Sequence, residues 1–248
     1  MKTLLAAVIS IPVLLSLIAP LSISAKDGKK ALLLWKQMEN SLRLDFHDAR
    51  PARKGLQGWI FQGKPFTKET RFTLVQEGKK RVLKVESRKG SGSILLNISK
   101  VPLKDYPILR WKWKVEKLPE GGDGRVPRKD DQALGIYVGA GRSKTSSLAF
   151  RWETTTPAGC KGRSKYGMGL ISVKWESFRS QNDPLNEWVE EEVNLYEKLN
   201  KLFKGRIPKK DLALSISGNS QYTGTASCGY IAYLELAKTP SQAGKKQN

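Results

Sequence analysis

The sequence predicts an all-β chain: an antiparallel β-sandwich of the jelly-roll kind with one short helix late in the chain. Three observations predict it. The stretch Pro107–Glu116, PILRWKWKVE, alternates with a period of two. Leu109, Trp111, Trp113 and Val115 fall on one side, and Arg110, Lys112, Lys114 and Glu116 on the other, the mark of a half-buried strand. About ten short runs of this type recur at even spacing, separated by turn residues. In the second half of the chain only Tyr196–Phe203 keeps helical spacing, with Tyr196, Leu199, Leu202 and Phe203 three and four apart. A closed barrel of the lipocalin type is the alternative architecture, and the late helix fits either.

Taken in order, residues 1–25 read as a secretory signal peptide. Lys2 supplies a positive start, Leu4–Leu17 an apolar run, Pro20 a break, and Ser22-Ile23-Ser24-Ala25 the small residues before cleavage. The apolar run is short of the roughly 20 residues that a membrane span needs. No other long apolar run follows, so no transmembrane span is expected after signal removal, and the expected location is periplasmic or secreted. About 220 residues then remain, enough to bury roughly 70–75% of the unfolded surface in one domain.

Residues 26–58 read as an N-terminal segment, loosely ordered or helical. Ala31–Leu34, Trp35, Met38 and Leu42 mark one face of a short helix, and Pro51 and Gly55 mark a loop. Residues 59–238 form the expected sandwich domain. Arg71–Val75 and Arg81–Glu86 make a hairpin around Gly78. Ile94, Leu96 and Ile98 alternate next, followed by the tryptophan strand and a loop over Pro119–Pro127. Gln132–Val138 is almost continuously apolar, a central strand covered on both faces. Leu148, Phe150 and Trp152 alternate, Thr154–Gly169 reads as turns, and Ile171, Val173 and Trp175 alternate again. Trp188–Leu195, Leu212–Ile216 and Tyr230–Leu236 supply the remaining strands. Residues 239–248 are a polar tail expected to be disordered.

The formal charge is +21, and +20 once Lys2 is removed with the leader. Such a charge calls for an anionic neighbour. An acidic polysaccharide or another cell-envelope component fits an exported chain, and nucleic acid is not expected in normal function. The two cysteines, Cys160 and Cys228, allow one pairing, and an oxidising compartment permits it. A disulfide is expected there; it would close a loop of nearly 70 residues, worth roughly 4 kcal/mol.

An ordered set of segments carries a family resemblance. RFTLV begins at Arg71, VLKVESRKGSGS at Val82, LRWKWKV at Leu109 and KDDQALGIYV at Lys129. EWVEEEVNLYEKLNKLF begins at Glu187 and TGTASCGYIAYLEL at Thr223. In this order and spacing the chain resembles the exported bacterial family catalogued as domain of unknown function 3047, over roughly Trp59–Ala237. The resemblance implies an exported β-sandwich similar in outline to carbohydrate-binding jelly rolls, and implies no activity. Relatives tend to carry an arginine in the strand after the paired aspartates, where this chain has Leu134-Gly135-Ile136. They tend to carry an acidic turn before the last strand, where it has Ser217-Gly218-Asn219-Ser220.

Chemistry is sparse. The single histidine, His47, leaves little for a zinc site or a catalytic triad, and no metal or cofactor is expected. A glycosidase needs two carboxyls roughly 5–10 Å apart. Asp131, facing a glutamate from another strand, is the candidate catalytic residue of a glycan-cleaving alternative. Asp123, Asp130 and Asp131 are oxygen ligands for calcium in a further alternative. Trp152 and Trp175 run in phase with apolar neighbours and read as core. Trp188 runs in phase with Glu190 and Glu192, on a polar face, and Tyr137 stands out of phase with Ile136 and Val138. The leading expectation is therefore a non-catalytic binder of an anionic polymer through Arg110, Lys112, Lys114, Tyr137 and Trp188. A structural envelope protein that binds other proteins is the third reading.

Overall fold

The computed structural model describes residues 31–141 and 144–241. The expected signal peptide and all but the start of the expected tail lie outside the described residues. The strands are β1 (Lys36–Gln37), β2 (Ser41–Asp45), β3 (Ile60–Gly63), β4 (Lys68–Glu69), β5 (Arg71–Glu77), β6 (Lys80–Arg88), β7 (Gly90–Asn97) and β8 (Ile108–Lys117). They continue with β9 (Leu134–Ala140), β10 (Thr145–Trp152), β11 (Lys161–Tyr166), β12 (Ile171–Arg179) and β13 (Val189–Asn194). Helix α1 (Leu195–Leu202) precedes β14 (Ala213–Asn219) and β15 (Ala226–Ala237).

Two sheets pack face to face. The 7-stranded sheet is built around β15, whose 12 residues pair with β8 along one edge and with β6 and then β2 along the other. Strand β13 extends it beyond β8, and β5 beyond β6. The 8-stranded sheet runs β11-β12-β10-β9-β14-β7-β3, with β4 beside β7. Its neighbours are antiparallel except β10 with β12 and β4 with β7.

Alternation decides which side chains meet between the sheets. Trp111 and Trp113 of β8 are fully buried. The Trp111 ring lies 5.5 Å from Phe150 and 5.4 Å from Trp113, and Trp113 lies 5.5 Å from Trp152. Leu134, Ile136 and Val138 of β9 and Leu214 and Ile216 of β14 complete this layer. The helix is where its spacing predicts. Asn194 caps it by accepting from the Glu197 amide at 2.9 Å, and Leu195 and Leu199 are buried.

Three expectations are corrected. The segment 26–58 is not loose where described, and it is helical only at Ala31 and Leu32: β1 and β2 follow, and β2 pairs with β15 while Leu42, Leu44 and Phe46 enter the core. The supposed turn region 154–169 contains β11, an edge strand on β12. Cys160 and Cys228 are free thiols. Cys160 packs near Trp175 on the outer face of one sheet, and Cys228 packs with Val82 and Tyr230 on the outer face of the other, so the whole sandwich lies between them.

Candidate functional site

The expected ladder of cations on β8 does not face water freely. Strand β13 pairs beside it in a register that sets Glu192 opposite Arg110 and Glu190 opposite Lys112. Arg110 is held by Glu192 at 3.1 Å and by Glu235 at 3.0 Å. Lys112 lies 3.4 Å from Glu190, and Lys114 lies 2.7 Å from Glu77. The Lys114 ammonium also sits between two rings, 5.2 Å from Trp188 and 4.7 Å from Tyr230. Trp188 is half-buried against that ammonium rather than standing clear of it. The alternating glutamates of β13 make this face a closed mosaic, so its cations are already answered within the chain.

Tyr137 belongs to a different surface, the outer face of the 8-stranded sheet. A Cβ on Gly135 would come within 2.6 Å of Tyr137 Cε2, so the ring lies over that glycine. Around it the floor is low. Ser215 and Leu95 fall in line with Tyr137, and Ser217 and Ser93 with Gly135. Further along, Ser91 donates to Asn219 Oδ1 at 2.8 Å. Gln132 Nε2 donates to the Tyr137 hydroxyl at 2.5 Å and fixes the ring's tilt. The result is a half-buried aromatic plate on a shelf of hydroxyls and backbone.

Behind the plate lies a buried ionic cluster. Arg151 of β10 is fully buried, opposite Gly135 of β9. Its Nη1 donates to Asp130 at 2.7 Å and to Glu153 at 3.4 Å, and its Nη2 donates to the Tyr166 hydroxyl at 3.3 Å. The guanidinium centre is 5.5 Å from the Tyr137 ring and 5.5 Å from Trp175. Trp175 lies over Gly162 of β11, where a Cβ would meet Cζ2 at 2.1 Å, and its Nε1 donates to Ser164 at 3.0 Å. Asp130 also accepts from Ser164 at 2.8 Å and from the Tyr166 hydroxyl. Strand β11 thus closes over the cluster, and its small residues make room for the indole.

One cation serving two buried carboxylates leaves an excess of negative charge. Burial pushes the Glu153 carboxyl up to about 7, with the Asp130 charge adding and Arg151 opposing. Burial pushes the Tyr166 phenol up to about 12. Nearer the surface Asp123 goes the other way, because Arg125 bonds its carboxylate. Glu153 Oε2 also accepts from the Gly124 amide at 3.1 Å and from Thr156 at 3.3 Å. A folded-state value raised from 4.5 to about 7 means that the folded chain holds this proton more tightly than the unfolded chain. The associated stability is complete below the ordinary glutamate value and is lost as pH rises through about 7. The melting temperature of Glu153→Gln should accordingly vary less with pH between about 5 and 7.5 than that of the wild type. Thermal melts across that range check it, and parallel profiles would show that Glu153 does not titrate in this way.

Asp131 does not act as a free carboxylate. It is fully buried, and its Oδ2 accepts from the Thr223 amide at 2.7 Å, tying the loop before β15 to the start of β9. The three aspartates weighed for calcium are likewise engaged by protein donors: Asp123 by Arg125, Asp130 by Arg151, and Asp131 by Thr223. Arg151 Nε, Gln132 Oε1 and Asp131 Oδ1 are buried with no hydrogen-bond partner among the described residues. Of the candidate residues predicted from sequence, Tyr137, Asp131 and the aspartates Asp123 and Asp130 weighed for calcium belong to this region, while Arg110, Lys112, Lys114 and Trp188 sit together on the opposite sheet.

Fold and face together define a two-sheet β-sandwich with an aromatic plate on the outer side of one sheet. The chain belongs to the family described as Protein of unknown function (DUF3047), whose profile matches residues 57–235. No curated protein matches it. Among solved structures it is similar to the family 11 carbohydrate-binding module of cellulosomal cellulase Lic26A-Cel5E of Clostridium thermocellum. That match has 6% identity, covers 83% of this chain and 99% of that one, and has a TM-score of 0.42. It is also similar to the family 30 carbohydrate-binding module of cellulosomal cellulase Cel9D-Cel44B of Clostridium thermocellum (12% identity, 73% and 92% coverage, TM-score 0.38). A further similar structure is the CBM22-1 xylan-binding domain from Paenibacillus barcinonensis Xyn10C (11% identity, 81% and 95% coverage, TM-score 0.35).

Proposed function

We propose that this is an exported, non-catalytic β-sandwich that binds a glycan on the outer face of the 8-stranded sheet, with an acidic polysaccharide or other anionic envelope polymer as the partner its charge fits. The observation that carries the reading is the half-buried Tyr137 ring lying over Gly135 beside Ser215 and Ser217. A sugar ring offers C–H groups to an aromatic plane and hydroxyls to the polar groups around it, and this shelf supplies both kinds of contact. Gln132 and Arg151 hold the plate rigid, which lowers the entropy lost on binding.

The nearby carboxylates support binding over cleavage. Asp130 and Glu153 are bridged by one guanidinium, Asp130 is closed in by Ser164 and Tyr166 of β11 and Glu153 by Gly124 and Thr156, and Asp131 is taken by a backbone amide. A glycosidase needs its two carboxyls open to the scissile bond. Affinity electrophoresis against soluble neutral and acidic glycans tests the proposal. Retardation by at least one glycan is expected, with Tyr137→Ala weakening it tenfold or more, about 1.4 kcal/mol. Unchanged migration of the wild type in every glycan, or equal retardation of the variant in every glycan that retards the wild type, would overturn it.

A further inference from the structure

A second concavity lies on the open side of the sandwich, away from Tyr137. Its volume is about 840 Å³, and it is bounded by the turn Pro51–Gly55, by β3 and β4, and by the β5–β6 hairpin of the other sheet. It opens between the terminal strands of the two sheets, β3 of one and β5 of the other. Arg53, Lys54, Lys68, Arg71, Arg81 and Arg88 line it against only two carboxylates, Glu69 and Glu86. Both carboxylates have partners of their own: Lys54 at 2.5 Å from Glu69 and Lys84 at 3.2 Å from Glu86. Arg81 donates to the backbone carbonyls of His47 at 2.6 Å and Ala49 at 3.3 Å, so its charge is fixed in place without a counter-anion. Arg53, Lys68, Arg71 and Arg88 are exposed and enter no ion pair among the described residues.

That imbalance is local. On β8 Arg110, Lys112 and Lys114 each meet a glutamate, whereas here a cluster of cations is left open. The groove also has an apolar wall, for Phe61 is half-buried with the Lys54 ammonium 5.1 Å from its ring centre. From Lys68 and Arg88 the concavity continues into an adjoining hollow of about 640 Å³, past Lys89 and Lys117, with Glu116 and Glu120 as the further acids on that side. A continuous trough with repeated cations fits a linear polymer with repeated anions better than it fits a compact ligand. Guanidinium groups pair with carboxylates in a planar, two-bonded way, and an aromatic wall suits sugar rings.

We propose that this groove seats a linear acidic polysaccharide whose sugar carboxylates meet Arg53, Arg71 and Arg88. The proposal deepens the glycan-binding reading and rests on it in one respect, that the ligand is a glycan; the groove itself is separate from the Tyr137 shelf. Binding would weaken steeply with salt, because exposed charges are screened within about 10 Å at 0.1 M.

The test is a salt-titrated binding measurement on the full mature chain, with polygalacturonate, its methyl-esterified form and inorganic polyphosphate as probes. Arg71→Ala/Arg88→Ala should bind polygalacturonate at least tenfold more weakly at low salt. Lys165→Ala/Lys174→Ala, which removes the same charge from an exposed surface elsewhere, should lose less than twofold. Tyr137→Ala should keep its salt-dependent attachment to polygalacturonate, so failure of the shelf and failure of the groove can be told apart. The groove is overturned if both double variants lose equally, if the first loses nothing, or if the wild type does not retain polygalacturonate. Preference for polyphosphate over polygalacturonate would overturn the assignment to a polysaccharide.

Discussion

Replacing Arg151 with methionine should lower stability by about 3–5 kcal/mol, the usual effect of stripping one partner from a buried ionic group. At about 2–4 °C per kcal/mol for a chain of this size, the melting temperature should fall by about 6–20 °C. The reason lies in what the variant leaves behind. Asp130 and Glu153 would remain buried with no cation between them, and Tyr166 would lose its donor. Methionine fills much of the volume, so packing alone does not explain a loss of that size. The loss should shrink at pH 5, where Glu153, already raised to about 7, takes up its proton readily. Adding Glu153→Gln to the variant should restore part of the loss at neutral pH. Thermal denaturation of the two variants at both pH values checks this. A loss below about 1 kcal/mol at neutral pH would mean the cluster is no better than an exposed ion pair. The Tyr137 plate should loosen as well, since the guanidinium beside its ring would be gone.

How much of this was legible depends on where apolar side chains lie. Strands β8, β10, β14 and β15 each turn one apolar face to the core, and the period of two marks them directly, while β9 shows as a continuous apolar run and the alternating Ile171, Val173 and Trp175 of β12 pack on the outer face of their sheet. Strand β2 was misread because Met38 and Leu42 are four apart, and a five-residue strand is too short to outvote one helical coincidence. Strand β11, KGRSKY, has no aliphatic residue to mark it. It exists because β12 offers an unpaired edge and because Gly162 accommodates Trp175, neither of which is local information. Its Lys161, Arg163 and Lys165 are exposed, which suits an edge that must not recruit another strand.

The site divides the same way. Tyr137 could be picked out because it breaks phase in a covered run. Arg151 could not, because between Phe150 and Trp152 it looks like any outward residue of a half-exposed strand. The cue was its neighbourhood, with Glu153 two residues on along the same strand direction and the paired aspartates one strand away. The basic ladder failed as a site for a related reason. Glu190 and Glu192 alternate as the β8 cations do, and only the pairing of β13 with β8 brings the two sets together. The cysteines gave no hint of which face each would occupy.

Trp111→Ala should cost about 3–5 kcal/mol, with a fall in melting temperature of about 6–20 °C. Trp111 is where both layers of the core meet. Its ring touches Trp113 at 5.4 Å, stacks on Phe150 at 5.5 Å and leans on Phe178 at 5.3 Å, joining β8 of one sheet to β10 and β12 of the other. Alanine would leave a cavity with those three rings as its walls, and rings anchored on separate sheets cannot collapse to fill it. The indole Nε1 has no hydrogen-bond partner among the described residues, so Trp111→Phe removes volume without breaking a hydrogen bond. That variant should lose clearly less than Trp111→Ala, and chemical denaturation of the pair separates volume from polarity. Equal losses would mean that Trp111 stabilises through a polar contact. A loss below about 1 kcal/mol for Trp111→Ala would mean that the two sheets are not held together through this ring.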